Sequence, residues 1–154
     1  MVGSTRITDE PSGGRPLTAT RAGGLALIFL GGLAGTLARI GLDAALPTAD
    51  DGIPWATLTV NVSGAFLLGA ILEVLTTQGG GWQHAVRLAI GTGFLGGYTT
   101  YSALSVETLH LVRNDAVLAG LAYAVGSICA GLTAAAAGFS LARRIAPDRA
   151  GAAA

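Results

Sequence analysis

Apolar runs of membrane-spanning length constrain this chain more than anything else in it. Residues 53–72, 88–106 and 116–142 contain no charged side chain, and residues 23–46 contain only Arg39 and Asp43, both near the end of the run. A helix crosses a hydrocarbon core with about 20 apolar residues. Inside lipid every backbone polar group must find a partner within the protein, which leaves helices or closed barrels. The expected fold is therefore an all-α integral membrane protein with four transmembrane helices. Composition agrees: 12% of residues are charged, against about 25% in an average soluble domain. The formal net charge is zero, so no basic surface argues for nucleic acid. Cys129 is the single cysteine and stands in an apolar run, so no intrachain disulfide forms and small-residue packing is its expected role.

The organisation follows from these runs. Residues 1–22 are polar and rich in Gly, Pro, Thr and Arg, and are expected to form a disordered tail rather than a signal peptide. Residues 23–145 form the membrane domain and 146–154 a C-terminal tail. Pro47 and Pro54 bracket the first loop, "TTQGGGWQ" (76–83) makes the second, and "RNDA" (113–116) is a tight turn. That turn predicts antiparallel neighbours on either side of it. With four crossings the N-terminal tail, second loop and C-terminal tail share one side, which holds Arg6, Arg15, Arg21, Arg87, Arg143, Arg144 and Arg149. The other side has Arg39 and Arg113 at helix ends, with Asp43, Asp50 and Asp51 around its first loop. Basic residues favour the cytoplasmic side, so both termini are expected there.

Small residues recur at four-residue spacing in the pairs Gly31 and Gly35, Gly93 and Gly97, and Ala134 and Gly138. Such pairs let membrane helices approach closely, and packing is their expected role. Asn61 differs, because an amide at bilayer depth costs several kcal/mol unless it is paired. Thr57, Asn61 and Gly64 form one stripe at helical spacing, so Asn61 reads as a pore or binding group, with an interhelical hydrogen bond as the competing reading. Tyr123 and Ser127 share a face with Gly131 and form a candidate polar track, with a structural hydrogen bond as the equal alternative. Glu73, Glu107 and His110 fall at span ends, where interfacial charge is the expected reading for Glu73 and His110, and Glu107 is a candidate vestibule residue.

The stretch "GFLGGYTTYS" (93–102) carries glycines, threonines and tyrosines at the middle of the third run. Gly costs about 1 kcal/mol relative to Ala in a helix, and β-branched Thr is also unfavourable. A break near residues 96–100 is expected. Broken backbone at membrane depth survives only where protein buries it or it lines a cavity, and its free carbonyls and amides can bind ions. "GTGFLG" (91–96) fits a dinucleotide-binding glycine pattern, but no strand precedes it and no acidic residue follows at the required distance.

Together, "GGLAGTLARIGL", "WATLTVNVSGAFLLG" and "GFLGGYTTYSALSVE" resemble the bacterial fluoride channels of the Fluc/CrcB family over about residues 24–142. The resemblance implies a multi-pass protein of the bacterial inner membrane that exports cytoplasmic fluoride passively, and not an enzyme. It implies an antiparallel, dual-topology dimer with two pores and a structural sodium ion at its centre, held by carbonyls matching Gly96 and Thr99. It assigns Asn61 and Thr57 to the pore lining, together with Tyr101, Ser102, Leu104, Tyr123 and Ser127. Arg39 and Glu107 match the family's helix-end residues. Fluoride is small and strongly hydrated, so amide and hydroxyl donors and positive ring edges suit it.

The departures carry information. Tyr101-Ser102-Ala103-Leu104 stands where the family usually has Phe-Ser-Thr-Phe, so Leu104 removes a ring edge, and Gly131 stands where a hydroxyl often sits. The arginine asymmetry favours one orientation, whereas an antiparallel homodimer needs both. Both features predict a heterodimer with a homologous subunit of opposite orientation, a homodimer being the alternative. A small-multidrug-type proton-coupled exporter is the rival function. It needs an embedded carboxylate, usually in the first span, where none stands before Asp43. A non-conducting partner subunit or scaffold is the third reading.

Overall fold

The computed structural model describes residues 17–46, 52–77 and 82–145, and every regular element among them is helical. Helix α1 (Leu17–Ala45) is followed by α2 (Trp55–Thr77). A short α3 (Trp82–Val86) runs into a π-helical segment (Arg87–Phe94) and then α4 (Leu95–Tyr98). After a break come α5 (Tyr101–Arg113) and α6 (Val117–Ile145). Three helical stretches, Arg21–Ala45, Trp55–Thr76 and Val117–Ile145, are long and apolar enough to cross a membrane. Residues 88–106, where a further crossing is expected from the sequence, do not form one continuous helix: Thr99 and Thr100 are both extended, at ψ 157° and 118°, and separate α4 from α5.

Local chemistry explains these boundaries. Pro54 lacks an N–H, and its carbonyl accepts the first bond of α2 from Leu58 at 3.3 Å. Thr100 caps α5, its hydroxyl accepting from the Ala103 N–H at 3.1 Å. At the other end of α5, Asp115 takes φ 59° in the turn to α6, a left-handed value that Asp tolerates better than most residues. The turn sets α5 and α6 against each other, as expected.

Two helix pairs build the bundle: α2 packs along α6, and α1 packs along the π segment and α4. Glycines decide both contacts. A Cβ on Gly31 would overlap the Ala89 carbonyl, one on Gly35 the Phe94 carbonyl, and one on Gly97 the Gly32 carbonyl. Across the other seam, a Cβ on Gly138 would overlap the Phe66 carbonyl and one on Gly69 the Ala135 carbonyl. The small-residue pairs are thus points of backbone-to-backbone contact. Their benefit is dispersion from close packing, the main attraction left to helices in an apolar solvent. Few large side chains are buried among the described residues; Val60, Leu75, Leu95, Leu104 and Tyr123 are the core. Leu25, Phe29, Leu118 and Leu132 face outward, a surface that an apolar surrounding requires. This is a multi-pass membrane protein.

The structure shifts several boundaries. Helix α1 begins at Leu17, so residues 17–22 of the expected tail are helical; residues 1–16 and 146–154 lie outside the described residues. So do Pro47, Asp50, Asp51 and residues 78–81 of the second loop. Glu73, expected at a span end, lies four residues before the end of α2 and is buried within the bundle at 6% exposure.

Candidate functional site

The break leaves the Thr100 N–H without a helical partner, and α2 supplies one. The Asn61 amide on α2 faces Thr100. Its Nδ2 donates to the Thr100 carbonyl at 3.0 Å, and its Oδ1 accepts from the Thr100 N–H at 2.8 Å. One side chain therefore satisfies both polar groups of one residue, as a neighbouring strand would. Thr99 folds back on α4: its N–H and its hydroxyl both donate to the Leu95 carbonyl, at 3.0 and 2.9 Å. From α1, Arg39 Nε donates to the Gly97 carbonyl at 3.3 Å, placing a cation at the C-terminal end of α4, where the helix dipole favours it.

A second tie lies one turn away. Ser63 donates its hydroxyl to the Thr59 carbonyl at 2.6 Å, and its oxygen lies 2.9 Å from the Tyr98 hydroxyl. A serine hydroxyl has one proton, so Tyr98 is the donor in that pair. The Tyr98 ring stacks on Phe94 with centroids 5.6 Å apart. Gly64, expected to leave room beside Asn61, leaves it for the break itself, since a Cβ there would overlap the Thr99 methyl.

Thr57, Glu107 and Tyr123 form a separate cluster. Thr57 donates to Glu107 Oε1 at 2.6 Å, and the Tyr123 hydroxyl donates to Oε2 at 2.7 Å. Thr57 and Tyr123 are buried, and both hydroxyls converge on one carboxyl group at short distance. Ser127 donates to the Tyr123 carbonyl at 2.6 Å within its own helix.

Two cavities meet at Thr100. A polar one of about 280 Å³ is lined by Arg39, Asp43, Thr57, Thr100 and Glu107, among others. A more open one of about 230 Å³ is lined by Asn61, Thr99, Thr100, Tyr101, Leu104, Ser127 and Ile128. The structure therefore gathers Asn61, Tyr101, Leu104 and Ser127 on one side of Thr100. Thr57, Arg39 and Glu107 gather on the other. Tyr123 reaches the second group through Glu107. Ser102 is exposed, with its hydroxyl 3.1 Å from that of Thr100. Gly96 is exposed on α4 with nothing within 4 Å of where a Cβ would stand.

Residues 26–139 match the family described as "CrcB-like protein, Camphor Resistance (CrcB)". The chain belongs to this family. It is similar to the "Fluoride-specific ion channel FluC 1" of Cutibacterium acnes, at 50% identity over 107 residues, 68% of this chain and 75% of that one. It is 46% identical to "Fluoride-specific ion channel FluC 2" of Leifsonia xyli subsp. xyli over 117 residues, 75% and 80% of the two chains. With a "Fluoride-specific ion channel FluC" of Thermus thermophilus it shares 42% over 116 residues, 75% and 91% of the two.

Sequence reasoning singled out most of the residues that line the two cavities but not how they bond. The Ser63–Tyr98 tie went unread, and so did the place of Asp43 in the polar cavity. Ser63 follows Asn61 by two residues, which on an ideal helix points it elsewhere, and only the path of the break brings Tyr98 to it.

Proposed function

We propose that this chain is a subunit of a fluoride-selective channel that lets cytoplasmic fluoride leave passively across the bacterial inner membrane. The observation that carries the reading is the junction at Thr100, where a donor-lined polar cavity and an open cavity share one residue pinned by the Asn61 amide. An anion passing this point exchanges water for amide and hydroxyl donors, and the one guanidinium there, Arg39, stands on the polar-cavity side of Thr100 rather than among the lining of the open cavity. The relatives named as fluoride-specific channels support the same substrate.

The pieces on either side of Thr99–Thr100 together make a fourth crossing, with both termini cytoplasmic. The working unit is an antiparallel dimer. Tyr101 is 79% exposed on the rim of the open cavity, which supports a second subunit closing that side. Oxygen donors of an unwound segment suit a hard monovalent cation. Gly96 and Thr99 offer such carbonyls at the break, and sodium bound there adds positive potential between the two subunits. Heterodimer formation with an oppositely oriented homologue is the second reading. It is favoured by the arginine asymmetry and by Leu104, an aliphatic side chain on the cavity wall.

The test is fluoride efflux from liposomes containing the purified chain, beside Asn61→Ala. Selective efflux that the substitution abolishes supports the channel and makes a homodimer sufficient. Efflux that appears only on co-expression with a homologous subunit supports the heterodimer. Its absence in both preparations overturns the channel reading.

A further inference from the structure

Asp43 stands in an unusual place. It lies in the last turn of α1, where the helix dipole disfavours a carboxylate, and that turn holds no basic residue to offset it. It lines the polar cavity with Arg39 one turn before it and Glu107 across from it. That cavity therefore carries two carboxylates against one guanidinium. Glu107 has both oxygens engaged by Thr57 and Tyr123, and Arg39 gives its Nε–H to the Gly97 carbonyl rather than to Asp43. Among the described residues no side-chain hydrogen bond or ion pair engages Asp43. Its negative field reaches the cavity that leads to Thr100.

We infer that Asp43 sets the rate at which anions enter this mouth, holding it below what the cavity would otherwise allow. The inference rests on the channel reading above. A unit charge facing an anion several ångströms away in a largely aqueous mouth changes local anion concentration by about two- to threefold at low ionic strength. Salt at about 1 M reduces the screening length to about 3 Å and removes most of that effect. The acid thus makes passage dependent on ionic strength. Glu107 adds its charge at the same wall but is held in place by Thr57 and Tyr123, so the Asp43 variants change only the unengaged carboxylate.

The experiment measures initial fluoride efflux from liposomes bearing the full chain, with its partner subunit if one is required. Wild type is compared with Asp43→Glu, Asp43→Asn and Asp43→Lys at about 10 mM and about 1 M ionic strength. Asp115→Asn, in the α5–α6 turn and outside the cavity lining, controls for net charge. The expected low-salt order is Lys fastest, then Asn about two- to threefold above wild type, with Glu and Asp115→Asn at wild-type rate. The order collapses in high salt. Equal rates in low salt, a rise that survives high salt, or an equal rise from Asp115→Asn overturns the inference while leaving the channel intact. No efflux from any chain overturns the channel reading and this inference together. Loss of folding does not mimic the expected result, because the result is a gain, and two different side chains must both produce it.

Discussion

Asn61 and Thr100 hold each other through two hydrogen bonds, 3.0 Å from Asn61 Nδ2 to the Thr100 carbonyl and 2.8 Å from the Thr100 N–H to Asn61 Oδ1. An amide is the side chain that presents a donor and an acceptor at the spacing of a peptide group. Helix α2 therefore lends the Thr100 N–H the bond that a continuous helix would have made, and adds a second donor to its carbonyl. The amide keeps one N–H proton and one lone pair beyond this pairing, so pinning the break and meeting an anion are compatible tasks.

Asn61→Ala is expected to leave the Thr100 N–H unpaired, its carbonyl keeping the first intrahelical bond of α5 as an N-cap does. An orphaned N–H costs about 1–3 kcal/mol where water is excluded. The variant should melt earlier in detergent and lose fluoride efflux. Asn61→Asp keeps the acceptor and loses the donor, so its melting should fall between the two. A fully stable Asn61→Ala would mean that water or lipid headgroups satisfy Thr100 instead.

Gly35 and Gly138 each face a backbone carbonyl of another helix, which cannot rotate away. Alanine at either position is expected to destabilise the bundle by about 1–3 kcal/mol, the usual cost of overpacking. Gly126→Ala, with nothing within 4 Å of the new methyl, should be neutral. Size-exclusion profiles after graded heating separate these outcomes.

Thr57→Val and Tyr123→Phe each remove one donor from Glu107. Either change should slow fluoride efflux, and the double variant should lose less than the product of the two single effects. Once one donor is gone the carboxylate is free to turn, so the second loss acts on a group already displaced. A four-way comparison of efflux rates measures this coupling directly. Strict independence would indicate that the two hydroxyls act separately from Glu107.

Tyr98→Phe keeps the stack on Phe94 and loses the bond to Ser63. About 1 kcal/mol of stability should go, with fluoride selectivity over chloride unchanged. A change in selectivity would move Tyr98 from the frame of the break into the ion path.

Much of this was legible along the chain. The uncharged runs announced helices for an apolar solvent, and Gly-Gly-Tyr-Thr-Thr announced a break, because those residue types are poor in a helix wherever they stand. The four-residue spacing of small side chains announced close contacts for the same local reason. Partners were harder to read. Asn61 was visible as a polar group in need of a partner, but two readings satisfied that need, and the Thr100 backbone is 39 residues away. Glu73 was visible as a charge near a span end, but its burial in the bundle depends on helices distant in the chain.

The sequence by itself determined the solvent, the helices and the position of the interruption, since each depends on the chemistry of residues near one another in the chain. The tertiary structure alone decided that Thr100 joins two cavities, that Glu107 is shared between Thr57 and Tyr123, and that Asp43 faces the same space as Arg39. These juxtapositions arise from how closely the glycine seams let α1 approach α4 and α2 approach α6. A spacing between helices is set by contacts across them, which no local pattern encodes.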